Sequence, residues 1–84
     1  MNKLEIFRKK LLYRSNYRGT KEMDILLSSF VGQTIKSLNE DQLKELDKFL
    51  DFDDSIIMNY YQNGVAEENI DKNTISKIFK KFTL

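Results

Sequence analysis

Eighty-four residues support one modest hydrophobic core. With no cysteine there is neither a disulfide framework nor thiolate chemistry, and with no histidine the commonest general base and zinc ligand are both missing. The net charge of +1 is unevenly spread: seven basic residues (Lys3, Arg8, Lys9, Lys10, Arg14, Arg18, Lys21) face one acid, Glu5, before residue 22, whereas nine acids face two lysines between Asn39 and Glu68. The stretch from Lys72 to Lys81 is basic again. Such asymmetry either steers an oppositely charged partner or forms solvated faces of a small helical protein. No apolar run approaches the roughly 20 residues that span a bilayer. The opening "MNKLEIFRKKLLYR" also lacks the apolar stretch of a signal peptide. A soluble, reducing, intracellular setting without membrane insertion is expected.

In chain order, Leu4, Phe7 and Leu11 recur at spacings of three and four and mark a first helix. Met23, Leu26, Leu27, Phe30 and Val31 fit the apolar stripe of a second helix completely, with Gly32 placed to end or bend it. Asn39 with Gln42 reads as a capping box opening a third helix, which turns Leu43, Leu46, Phe49 and Leu50 inward. Asp53 or Asp54 is placed to cap a short fourth helix carrying Ile56, Ile57, Tyr60 and Tyr61, which "QNG" stops at Gly64. A last helix buries Ile75, Ile78, Phe79 and Phe82. There is no proline, no sustained period-two alternation and no internal repeat. The expected fold is all-α: a compact single-domain bundle of about five short helices over residues 1–84.

Most chemistry is excluded by inventory. "DFDDS" resembles the start of a calcium loop, but the required glycine and glutamate positions hold Ile56 and Gln62. The three glycines are isolated, so no phosphate loop exists. Glu22 and Asp24 are two apart on a helix and point in different directions. No catalytic residue, metal site or stably bound cofactor is expected.

The stretch "YRGTKEMD", Tyr17 to Asp24, is the informative one. It places a glycine where a helix should start, at Gly19 or Thr20. If Gly19 is the cap, Glu22 suits the positive end of the helix and reaches back to the cap N–H. Gly19 then simply lets the chain turn. Arg18 has no such explanation within a turn. A planar, multidentate donor beside an exposed glycine instead suits the close approach of a partner backbone. Tyr13 and Tyr17 add amphipathic rings, and Tyr and Arg dominate interface energetics. The expected partner-binding residues are Arg8, Tyr13, Arg14, Tyr17, Arg18, Gly19, Glu22 and Asp24.

"RKKLLYRSNYRGTKEMDILLSSFV" also resembles the family of small bacterial flavinylation factors called SdhE, with mitochondrial relatives that assemble succinate dehydrogenase. Arg18, Gly19 and Glu22 match the family's R-G-x-x-E motif, followed by its frequent Asp24. The resemblance continues through "SLNEDQLKELDKFLDFDDSIIMNYYQNG" and covers about Leu4 to Gly64. Ser55 stands where the family often has proline, and Tyr60 where it often has tryptophan; helix start and aromatic bulk are preserved. The resemblance implies an assembly chaperone in the bacterial cytoplasm. It would bind the flavoprotein subunit of succinate dehydrogenase, with fumarate reductase as a second candidate, and promote covalent attachment of FAD to a histidine of that subunit. FAD is then the partner's cofactor. Two further readings are a small basic helical nucleic-acid-binding protein, against which the acidic middle argues, and a purely structural interaction protein.

Overall fold

The computed structural model describes residues 2–84. Five helices follow in order: α1 (Lys3–Asn16), α2 (Lys21–Thr34), α3 (Glu40–Phe49), α4 (Asp54–Asn63) and α5 (Thr74–Lys80). Short 3₁₀ turns at Ile35–Ser37 and Ile70–Lys72 follow α2 and precede α5, and no strand occurs among the described residues. The fold is the all-α bundle the periodicity predicts.

Side-chain caps set most helix starts. The Asn2 side chain accepts from the Glu5 N–H, and Thr20 from the Met23 N–H. Asn39 and Gln42 form the reciprocal capping box, each accepting a backbone N–H at 2.9 Å. Asn73 accepts from Ile75 and Ser76 N–H and donates to the Glu45 carbonyl, so the cap of α5 also ties it to α3. Asp53 occupies the cap position of α4 without making a capping bond. Gly64 ends α4 in the left-handed conformation, φ 71°.

One apolar core joins all five helices. Leu11, Leu27, Phe30, Val31, Leu43, Leu46, Phe49, Ile57, Ile75 and Phe79 are essentially inaccessible. Phe30 lies at its aromatic centre, with ring centroids 5.0 Å from Phe79, 5.3 Å from Phe82 and 6.3 Å from Phe49. Tyr61 stacks on Phe79 at 4.7 Å and donates its hydroxyl to the Phe82 carbonyl, which fixes the segment after α5.

Three expectations are corrected. Gly32 does not end α2, which continues to Thr34 because Phe30 and Val31 before it and Ile35 after it are held in the core. Ile78 is 42% exposed: α5 is only seven residues long and turns Ile75, Ser76 and Phe79 inward instead. Phe82 reaches the core from beyond the helix end. The buried Ile35, Leu38 and Ile70 belong to the 3₁₀ turns and their flanks, where no helical period marks them. Successive left-handed residues Glu68 and Asn69 redirect the chain so that Ile70 can enter the core.

Candidate partner-binding site

The loop between α1 and α2 meets the loop between α3 and α4, and Arg18 joins them. Its Nε–H donates to Asp54 Oδ1 at 2.7 Å. Its two terminal nitrogens donate to the Leu50 and Phe52 carbonyls, both at 2.8 Å. Leu50 caps the C-terminus of α3, and Asp54 is the first residue of α4. One ion pair therefore sets a cation against the negative end of one helix and an anion against the positive end of the next. The Arg18 side chain is only 12% exposed.

The backbone of the same loop is held equally closely. The Gly19 N–H donates to Asp54 Oδ2 at 2.7 Å, and the Arg18 N–H donates to Asp24 Oδ1. A Cβ on Gly19 would stand 3.0 Å from Asp54 Oδ2. That contact, and not a left-handed φ, is what favours glycine here.

The other expected residues divide into two groups. Arg14 donates to the Asp47 carbonyl at 3.1 Å and to the Asp47 carboxylate, and to Asp51 Oδ1 at 2.6 Å. Arg8 donates to the Leu38 carbonyl at 3.1 Å, while its buried Nε has no partner among the described residues. Thus the basic N-terminal segment and the acidic middle meet within the fold: all three arginines turn inward, and the lysines stay out. Arg18 and Asp24 are the motif loop's internal fasteners. Facing outward are Tyr13 and Tyr17, 67% and 73% exposed with ring centroids 4.9 Å apart, and Glu22. Glu22 forms no ion pair among the described residues.

The cap of α2 is Thr20, not Gly19, so Glu22 is its second residue and makes no return bond to the cap. Asp54 is the residue that sequence reasoning missed in this role. Its only signal was its place in "DFDDS", and a pairing across 36 positions leaves no trace in local spacing.

Beside the clamp lies an open groove of about 570 Å³ between the start of α2 and α4, with Met23 and Met58 along it and Glu22 and Gln62 at its rim.

A model of the family described as the flavinator of succinate dehydrogenase matches residues 9–83. The chain belongs to this flavinator family. Its relatives include the mitochondrial succinate dehydrogenase assembly factor 2 of Aspergillus flavus, 39% identical over 77 residues, covering 88% of this chain and 26% of the relative. The namesake from Dictyostelium discoideum is 42% identical over 60 residues, covering 71% of this chain and 43% of the relative. That from Caenorhabditis elegans is 44% identical over 48 residues, 57% of this chain and 40% of the relative. This chain therefore spans less than half the length of each of these relatives. No solved structure gives a significant match. The flavinator family is one of assembly factors and not of catalysts. The expected bacterial cytoplasmic location is corrected by these relatives, which are mitochondrial proteins of eukaryotes.

Proposed function

We propose that this protein binds the flavoprotein subunit of succinate dehydrogenase during assembly and promotes covalent attachment of FAD to it. The carrying observation is the family match across residues 9–83, within which Arg18, Gly19 and Glu22 are ordered at one edge of the bundle. The chain has no histidine to accept a flavin. The groove beside the motif carries the Glu22 carboxylate, which has no ion-pair partner among the described residues and disfavours a diphosphate there. In this reading FAD is the cofactor of the partner.

The contribution is positional. Binding to the incompletely assembled subunit favours the arrangement in which flavin and acceptor histidine are aligned. Arg18, Asp24 and Asp54 hold the loop; Tyr13, Tyr17 and Glu22 present its outward face. The flavoprotein of fumarate reductase is a second candidate partner. The engagement of Arg14 and Arg18 weighs against the nucleic-acid reading, because their donors already hold carbonyls and carboxylates. The relatives' names support a mitochondrial setting.

The test is a flavin-fluorescence gel of the flavoprotein subunit produced with and without this chain. Attachment should rise when the chain is present, and the two should co-purify without the iron–sulfur subunit. Equal fluorescence in both lanes refutes the proposal.

A further inference from the structure

The groove between α2 and α4 has a character distinct from the rest of this edge. Met23, only 2% exposed, and the half-buried Met58 give it an adaptable thioether floor, and its lining is mostly apolar. Gly19 and Thr20 also line it. The nearby acids are unequal. Asp24 and Asp54 are held by the Arg18 and Gly19 donors, whereas Glu22 at the rim has no cation within ion-pair distance among the described residues.

An apolar floor with one free carboxylate at its rim complements an apolar side chain adjacent to a cation. We infer that this groove receives an apolar side chain of the flavoprotein subunit, flanked there by a lysine or arginine that pairs with Glu22. The inference rests on the functional reading above and names the chemistry of that contact. The floor supplies non-directional burial. The single carboxylate fixes which way the inserted segment runs, because the reversed segment leaves the charge unpaired. The clamp matters to this surface: Asp54, oriented by Arg18, holds the Gly19 N–H against the start of α4 and so positions one wall of the groove.

The experiment places a photo-crosslinking p-benzoylphenylalanine at exposed Gln62 on the rim, in the full chain, with the flavoprotein subunit present. The control carries it at Lys44, exposed on α3 and outside the groove. Crosslinks to the flavoprotein should form from position 62 and not from 44. Glu22→Lys should weaken binding about ten-fold and Glu22→Gln less. Glu22→Gln should keep the unmodified chain's unfolding midpoint to within a few degrees, since Glu22 makes no ion pair among the described residues. Glu22→Lys also reverses a favourable charge in the first turn of α2, so its binding is compared at a temperature where both variants are fully folded. Mutating the lysine or arginine in the crosslinked peptide to glutamate should restore binding of Glu22→Lys. Crosslinks to a second copy of this chain, or none, while flavin attachment is still promoted, overturn the groove assignment and leave the functional reading standing. If the unmodified chain promotes no attachment, both fall.

Discussion

The Asp54 carboxylate takes the Arg18 guanidinium on one oxygen and the Gly19 amide on the other, each at 2.7 Å. Two adjacent residues of the first interhelical loop are thereby fastened to the first residue of α4. Removing this acceptor leaves the poorly exposed Arg18 Nε–H and the Gly19 N–H without a partner. Asp54→Ala should therefore cost about 2 kcal/mol. For a domain of this size that is a fall of roughly 10 °C in melting temperature. Asp54→Asn should lose less, because it keeps one oxygen acceptor. Thermal unfolding followed by circular dichroism checks both; a melting temperature unchanged by Asp54→Ala would mean the clamp is incidental.

Gly32 gives the opposite sign. It lies inside α2, exposed, and a Cβ there meets nothing within 4 Å. Glycine in a helix interior costs roughly 0.5–1 kcal/mol relative to alanine. Gly32→Ala should raise stability by about that amount in urea unfolding, with an unchanged slope. A loss of stability would show that the α2 backbone needs glycine there.

These two sites also show what the sequence could reveal. The apolar stripes of α2 and α3 were legible because burial and helical period coincide in Met23 to Val31 and Leu43 to Leu50. The capping box at Asn39 was legible because both partners lie within one turn. Gly32 misled because local preference was weighed without the core contacts of Phe30 and Val31. Ile70 and Leu38 were missed because single residues carried in by 3₁₀ turns have no period. At the candidate site, the sequence brings the motif residues together but does not show their directions. Arg18 has no local partner, so it read as a free donor. Its acceptors lie 32 to 36 positions away and exist only once α3 and α4 have folded back.

The direction of the arginines alters the expected electrostatics. With Arg8, Arg14 and Arg18 engaged internally, the outward cations of the basic segment are Lys3, Lys9, Lys10 and Lys21. Steering of the flavoprotein should therefore depend on the lysines. Replacing Lys3, Lys9 and Lys10 together by glutamine should slow association several-fold at low salt and change dissociation little. The difference should shrink at high salt. Stopped-flow association at two salt concentrations measures this. An effect confined to the dissociation rate would place these lysines in the contact itself.

Gly19 provides the most discriminating test, because two explanations of the glycine diverge there. If it permits close approach of a partner backbone, alanine harms binding and leaves folding nearly intact. The geometry instead places the added Cβ 3.0 Å from Asp54 Oδ2, an oxygen held on a carboxylate that also bonds Arg18. The carboxylate must give way by a few tenths of an ångström, which strains both of its bonds. Gly19→Ala should then cost about 1 kcal/mol of stability. The decisive measurement is its coupling to Asp54. In an Asp54→Ala background the obstructing oxygen is gone, so Gly19→Ala should cost under roughly half as much, and the two changes should be clearly non-additive. Flavin attachment to the partner should fall with Gly19→Ala in proportion to the loss of the ordered loop, and Gly19→Arg, which forces a longer chain past Asp54, should be worse on both counts. Strict additivity of the two alanine changes would exclude the carboxylate as the reason for glycine. Full stability of Gly19→Ala with lost attachment would return the residue to the partner interface.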